Sequence, residues 1–194
     1  MHRAMTRLAQ TMAVLGSLVL VFLILMTCVS VTGRELNSFF NADLMQTAAP
    51  GLAGFMLGLG VAPITGDFEL IENGMAFAIF AFLPLAQMHA AHATVDVFTQ
   101  RLPDPLLRWM RALTEAVFAL VLLVFAARLF DGMQAKMRYN ETTYLIQFPV
   151  WWAYALALSA AVVAALVGVY MAGLRLAEAL TGTDLVPATE GGDG

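Results

Sequence analysis

Three carboxylates lie close together in the chain, at Asp67, Glu69 and Glu72. Residues 73–95 then run without a charge, which is long enough to cross a bilayer. Ionisable groups at the mouth of a membrane span are costly when they face lipid, so they normally face protein, water or an ion. Glu69 and Glu72 also share a helix face, because residues three apart are neighbours on a helix. The cluster is a candidate ion or proton site or a contact with a partner subunit, and we favour the partner contact.

A second set of chemical groups is the pair His89 and His92, with Asp96 one turn further on. Residues three and four apart lie on one helix face, and two imidazoles there could ligate a haem or a metal ion. A bis-histidine haem in a four-helix bundle, however, normally takes its ligands from facing helices, and the only other histidine is His2. We therefore expect both histidines to cap a helix end at the cytoplasmic interface, and we expect no cofactor in this chain.

Glu115 and Arg128 are charged residues at the two ends of a further apolar stretch, residues 116–127. They would lie about 20 Å apart along one helix, which is too far for them to pair with each other. We expect each to extend toward the membrane surface or to meet a partner on another helix. The chain shows no nucleotide-binding loop, nucleophile elbow, metalloprotease motif or cysteine-histidine metal spacing, so we expect that it is not an enzyme.

The composition places these groups in a membrane protein. Of the residues, 60% are hydrophobic and only 12% are charged. Soluble domains carry roughly 25% charged residues, so this chain has too little polar surface to coat a water-soluble globule. We predict an all-α integral membrane protein with one membrane domain, residues 1–176. Its four transmembrane helices are expected near residues 9–32, 67–92, 106–130 and 149–175.

Residues 37–65 add an apolar segment between the first two predicted helices. Two prolines, Pro50 and Pro63, and several glycines interrupt it. A helix between the two prolines would be only about 18 Å long, which is short of the roughly 30 Å hydrocarbon core. We therefore expect an interfacial or re-entrant hairpin that lies on the other helices, with Gly54 and Gly58 allowing close approach.

The topology follows from the Lys and Arg residues near the span ends. With four spans, six of these residues fall on one side, including Arg3 and Arg7 before the first span, and four fall on the other. Cytoplasmic loops carry the excess, so we expect both termini in the cytoplasm. Residues 177–194 hold four acidic residues and several glycines, and we expect them to form a disordered cytoplasmic tail.

Small residues repeat along the last predicted helix in two adjacent ridges. The first ridge comprises Ala153, Ala157, Ala161 and Ala165, and the second comprises Ala160, Ala164, Gly168 and Ala172. Small residues at this spacing let helix backbones approach closely in lipid. The ridges could pack against a partner subunit, against the chain's own helices, or against both. We take the first ridge as a candidate partner contact.

Aromatic residues cluster just before that helix and in its first turn. They are Tyr144, Trp151, Trp152 and Tyr154. Pro149 suits the first turn of a helix, and Tyr and Trp are enriched where a span meets the membrane surface. We predict an aromatic belt at the outer interface.

The same stretch, ETTYLIQFPVWWAY at residues 141–154, resembles a motif of the small permease subunit of TRAP (tripartite ATP-independent periplasmic) transporters, the DctQ type. Three more segments agree with that family: TGR at 32–34 ends the first helix, GDFEL at 66–70 opens the second, and HATVDV at 92–97 closes it. The resemblance covers roughly residues 9–175. Two features depart from the family, namely the insertion at 37–65 and Thr94, which stands where a basic residue is common.

The resemblance implies a non-catalytic subunit of a sodium-driven uptake system for an organic acid. In that family a large membrane subunit holds the substrate and sodium sites and moves like an elevator, and a periplasmic binding protein delivers the acid. The small subunit packs against the fixed scaffold of the large one in the bacterial inner membrane. We expect this chain to do the same through Arg34, Glu69, Glu72 and the first small-residue ridge, with no nucleic acid among its partners.

Two other functions stay open at this point. One is a four-helix membrane cytochrome that transfers electrons through a haem held by His89 and His92. The other is a free-standing channel or carrier, although four short helices with few internal polar groups leave little to line a path. An absorbance spectrum of the purified protein tests the first, and reconstitution of the chain alone tests the second.

Overall fold

A computed structural model describes residues 2–89 and 103–182 of the chain. These residues form α1 (His2–Asn41), α2 (Asp43–Ala48), α3 (Pro50–Gly58), α4 (Asp67–Met88), α5 (Asp104–Tyr139) and α6 (Val150–Thr181). Four of the helices, α1, α4, α5 and α6, are long and apolar enough to cross a membrane. The prediction of an all-α membrane protein with four transmembrane helices is therefore confirmed.

Three of the long helices, α1, α5 and α6, extend beyond the apolar stretches from which they are predicted, whereas α4 ends at Met88, before its predicted end at residue 92. Where the sequence predicts ends at residues 32, 130 and 175, the helices continue to Asn41, Tyr139 and Thr181. A helix ends where its backbone turns away, and not where its side chains become polar. Asn140 and Gly182 supply that turn for α5 and α6, because both adopt the left-handed conformation that commonly closes a helix. Residues 177–181, which the sequence assigns to the tail, therefore belong to α6, and residues 183–194 lie outside the described part.

The long helices pack side by side in the order α1, α4, α6, α5. Near its first residues α1 also contacts α6, where Ala9 packs in one cluster with Val167 and Met171. This order leaves α1 and α5 as the two edge helices, each with a broad exposed apolar face. The inner helix α6 buries most of its small residues between its neighbours, and the inner helix α4 buries Ala78 and Ala81.

Small residues set the distances between the helices. A Cβ added at Gly16 of α1 would lie 3.0 Å from the Cβ of Ala81 on α4. One added at Gly132 of α5 would lie 2.7 Å from the Tyr154 ring of α6. Backbones that approach this closely gain dispersion contacts, which drive helix association in lipid in place of the hydrophobic effect.

The insertion between the first two spans folds back along the end of α1. After α2 and α3, residues 60–64 return beside α1, where Asn37 Nδ2 donates a 2.7 Å hydrogen bond to the carbonyl of Val61. The carbonyl of Ala62 lies against Gly33, which leaves no room for a side chain there. Gly54 and Gly58, in contrast, have no neighbouring side chain or backbone within 4 Å of an added Cβ, so the expected close approach at these glycines is not made within the described chain.

Candidate functional site

Asp67 joins three parts of the fold at the start of α4. Its side chain is almost fully buried, and Ser30 Oγ of α1 donates a 2.6 Å hydrogen bond to Asp67 Oδ2. The guanidinium of Arg34, one turn further along α1, lies 3.3 Å from the same oxygen. Ser30 Oγ in turn accepts the backbone N–H of Ile64 at 3.2 Å. The carboxylate therefore ties α1, the returning limb of the insertion and α4 together, which is what makes its burial tolerable.

Arg34 completes this contact from the more exposed side. About half of its side chain is exposed, and its guanidinium carbon lies 5.8 Å above the ring of Phe68. A cation over an aromatic face is attracted by the ring quadrupole. Arg34 is thus held by an anion and a ring of its own chain, and its predicted contact with a partner subunit stays a prediction.

Glu69 fixes the loop between α5 and α6 onto the first turn of α4. Its Oε1 accepts the backbone N–H of Leu145 at 2.7 Å, and its Oε2 accepts that of Ile146 at 3.1 Å. The Ile146 side chain sits directly against Gly66, whose φ of 79° is the left-handed conformation that glycine adopts without strain. Both carboxylate oxygens of Glu69 are therefore engaged within the chain.

The loop that Glu69 holds is itself tightly built. Thr143 donates its backbone N–H to the carbonyl of Phe148 at 2.9 Å, and its Oγ1 accepts the backbone N–H of Phe148 at 3.0 Å. Thr142 and Pro149 form an isolated antiparallel bridge. Tyr144 at the tip is 90% exposed. The loop is thus a hydrogen-bonded hairpin that presents the Tyr144 side chain outward.

Glu72 differs from the two acids before it. It lies on the exposed face of α4, between Phe68 and the exposed Met75 at helical spacing. Of the three acids in the cluster, it is the one whose side chain faces outward.

The first small-residue ridge lies inside the chain. Its members are Ala153, Ala157, Ala161 and Ala165, and all four are buried. Ala165 packs in a cluster with Leu122 of α5 and Leu83 of α4. The second ridge is also internal, because a Cβ at Gly168 would lie 3.0 Å from the Gln87 amide nitrogen. The four alanines of the first ridge therefore serve packing between the chain's own helices and, in the described part of the structure, they offer almost no surface to another subunit.

The aromatic residues of the predicted belt surround the start of α6. Trp151 and Trp152 stack with their ring centroids 4.8 Å apart. Tyr154, one turn deeper, packs against Gly132 of α5. These positions suit a belt, whose depth in a membrane stays a prediction.

Several polar groups that the sequence analysis did not single out are buried toward the other end of the helices. Arg175 Nη1 and Glu178 Oε2 form an ion pair at 2.8 Å, with both side chains largely buried. The i, i+3 spacing is the signal by which this pair could be found. Gln87 is fully buried, and its amide has no hydrogen-bond partner among the described residues. Glu115, which the sequence analysis names with Arg128, is also buried near this end of the helices.

The candidate histidine ligands are not brought together in the described residues. His89 is exposed at the end of α4, and His92 and Asp96 lie outside the described part. His2 lies with its Nδ1 3.4 Å from the Tyr170 hydroxyl. Within residues 2–89 and 103–182, no group of three or more His, Cys, Asp or Glu side chains is arranged to hold a metal ion.

Three of the four segments that suggest a family meet at one corner of the molecule. Arg34 of TGR contacts Asp67 of GDFEL, and Glu69 of GDFEL holds the loop that precedes Pro149. The fourth segment, residues 92–97, lies outside the described part. The family model described as tripartite ATP-independent periplasmic transporters, DctQ component, matches residues 59–178. The chain belongs to the DctQ family.

Membership makes the chain the small membrane component of a TRAP transporter, and the DctQ family is a family of transporter components and not of enzymes. The match leaves out α1 and most of the insertion at residues 37–65. The insertion is one of the two features in which the sequence departs from the family pattern, and the other, Thr94, lies within the matched residues. Comparisons with curated proteins and with solved structures found no match.

Two clefts on the DctQ chain flank the returning limb of the insertion. One, of about 430 Å³, lies between residues 28–36 of α1 and residues 60–62. The other, of about 400 Å³, is lined by apolar side chains of α1 with Ile64 and Leu70. Both are open at the surface, and no charged residue lines either of them. Neither offers the convergent polar groups that hold a small acid in a binding site.

Proposed function

We propose that this DctQ subunit stabilises the large transport subunit of a TRAP transporter and does not itself bind the substrate. The observation that supports this most is that two carboxylates of the acidic cluster are already hydrogen-bonded within the chain. Asp67 and Glu69 are the groups best placed to bind a cation, and their oxygens are engaged by Ser30, Arg34 and two backbone N–H groups. A carboxylate already used in this way stabilises the fold, and it has little capacity left for a transported ion.

The transported species and the remaining partners follow from the resemblance. We propose that the complete system takes up an organic acid together with sodium, and that the large membrane subunit holds both. A periplasmic binding protein would deliver the acid. We accordingly expect this subunit to bind no cofactor, and we expect sodium to bind to the large subunit. Glu72 and the outward side of Arg34 are the members of the predicted contact set that are still accessible to a partner.

The proposed location is the bacterial inner membrane, with both termini in the cytoplasm. The excess of Lys and Arg on that side supports this orientation. It places the corner formed by Arg34, Asp67 and Glu69 at the periplasmic surface. The insertion at residues 37–65 would then lie at or above the periplasmic interface, because it returns to α1 at Ser30, level with the start of α4.

The cytochrome alternative gains no support. A bis-histidine haem in a helix bundle takes two axial ligands that face each other, whereas His89 is exposed at a helix end, His2 lies beside Tyr170, and His92 lies outside the described residues. We do not propose it further.

Reconstitution into proteoliposomes tests the proposed function. Uptake of labelled acid is measured under an inward sodium gradient with this chain alone, with the large subunit and binding protein alone, and with all three. We expect uptake only when all three are present. Uptake by this chain alone would refute the scaffold function, and so would full uptake in its absence.

A further inference from the structure

The face of α5 that points away from α6 forms one continuous exposed stripe. Its members are Leu113, Val117, Leu120, Val124, Arg128 and Asp131. Their spacing of three and four residues places them on a single side of the helix. The buried residues of α5 include Ala112, Ala119 and Leu122, which lie on the opposite side. The stripe therefore begins as an apolar surface and ends in two charges.

The two charges lie below the expected outer surface of the membrane. With the stacked Trp151 and Trp152 taken as that surface, Tyr154 lies a turn deeper and contacts Gly132 of α5. Arg128 is a further turn down α5, about 6 Å toward the centre. The next turn carries Phe125, whose ring packs against Phe80 of α4. The Cα atom of Arg128 therefore lies at a depth where lipid or protein, and not water, surrounds the helix.

The ion pair that Arg128 forms is loose. Its Nη1 lies 4.0 Å from Oδ2 of Asp131, and the two side chains are 80% and 68% exposed. An exposed pair of this kind contributes little by itself. Charges at membrane depth are costly against hydrocarbon and are normally covered by protein or water. The pair therefore calls for a polar neighbour that this chain does not supply among its described residues.

The other edge helix gives the contrast. On α1 no charged residue occurs between Arg7 and Arg34, and its exposed face is built from residues such as Leu18, Val21 and Leu25. That face suits lipid as it stands. Of the two edge helices, only α5 carries exposed charges at membrane depth, so α5 is the one that a protein partner would stabilise.

We propose that the exposed stripe of α5 is the surface on which a transmembrane helix of the large transport subunit docks. That helix would present a carboxylate to Arg128 and a hydrogen-bond donor to Asp131, and apolar side chains to Leu113, Val117, Leu120 and Val124. This proposal rests on the proposed function, since it needs the large subunit as a partner. It moves the main contact from the small-residue ridge of α6 to the outer face of α5.

Site-specific photocross-linking in the complete complex tests the docking surface. A photoreactive benzophenone residue replaces Leu120 in one variant and Val21 of α1 in a matched control, because both positions are exposed to a similar degree. After co-purification and irradiation, we expect the Leu120 variant to cross-link to the large subunit and the Val21 variant to label lipid. Cross-links from Val21 but not Leu120, or from Leu120 only to lipid or to a second copy of this chain, would overturn the proposal.

A charge test uses two arginines on the same helix. In Arg128→Gln we expect the amount of large subunit that co-purifies to fall by about tenfold or more, because the charge that it faces loses its partner. In the control Arg138→Gln, in the last turn of α5, we expect a change of less than about twofold. Equal recovery of both variants would contradict the proposal. If the unaltered chain recovers no large subunit at all, the proposed function fails, and not the choice of face alone.

Discussion

The carboxylate of Glu69 and the backbone N–H of Leu145 are joined by a 2.7 Å hydrogen bond across 76 positions of the chain. Together with the second bond, from Ile146, it fixes the α5–α6 loop to the first turn of α4. An acid that looks in sequence like a candidate ion ligand is thus a structural acceptor.

Replacing Glu69 with Gln should weaken the loop contact. The amide keeps one carbonyl oxygen but turns an NH2 group toward the second backbone N–H, which then has no acceptor. We expect the melting temperature in detergent to fall by several degrees, and co-purification with the large subunit to weaken as the corner loosens. The control Glu72→Gln alters an exposed acid and should leave the melting temperature unchanged. An unchanged melting temperature in Glu69→Gln would contradict the assigned function of Glu69.

Ser30 and Asp67 should be energetically coupled. We expect Ser30→Ala and Asp67→Ala each to lower the melting temperature, and the double variant to lower it by less than the sum of the two, because each change removes one partner of the same 2.6 Å hydrogen bond. Ser17→Ala is the control, since the Ser17 hydroxyl donates to the Ala13 carbonyl of its own helix and, among the described residues, makes no bond to another helix. Strict additivity of the two changes would show that Ser30 and Asp67 do not act as a unit.

Gly168 leaves little room for a side chain. An added methyl group would lie 3.0 Å from the Gln87 amide nitrogen and 3.3 Å from Leu122, so Gly168→Ala should destabilise the helix packing by about 1–3 kcal/mol. Gly173→Ala on the same helix meets no described atom within 4 Å and should be neutral or slightly stabilising. Chemical denaturation in mixed micelles measures both. We expect a larger loss of unfolding free energy in Gly168→Ala than in Gly173→Ala. The reverse order would refute the close packing of α6 against Gln87 and Leu122.

Gly66 and Gly60 separate backbone strain from steric overlap. Both have positive φ values, of 79° and 80°, so alanine at either position should cost roughly 1 kcal/mol in backbone conformation. Only at Gly66 does the new Cβ also overlap the Ile146 side chain. We expect Gly66→Ala to be clearly more destabilising than Gly60→Ala, and to increase proteolysis within residues 140–149. Equal effects would mean that the loop is not seated on Gly66.

The membrane class and the four long helices follow from the sequence because they depend on local composition. Long uncharged apolar runs must become helices in lipid, since no other local structure satisfies the backbone there. The helix ends are less accessible from hydropathy alone, and they depend on Asn140 and Gly182. Asn and Gly commonly end helices in the left-handed conformation, so these two residues are the sequence signal for the longer α5 and α6.

The contacts of the acidic cluster could not be read from the sequence. Asp67 is paired with Ser30 and Arg34 across the insertion, and spacing on one helix says nothing about such partners. The small-residue ridge shows the same limit. Its period correctly indicates close packing, but whether the neighbour belongs to this chain or to another depends on the order α1, α4, α6, α5, which no local pattern specifies.

The most direct test of the central claim is the sodium dependence of uptake by the reconstituted three-component transporter that carries both Asp67→Asn and Glu69→Gln. If these acids only hold the subunit together, fewer complexes should assemble, while each assembled complex keeps the sodium concentration for half-maximal uptake and the Hill coefficient of the unaltered transporter. Normal assembly with a shifted sodium dependence would show instead that the cluster binds the transported ion, and would contradict the account.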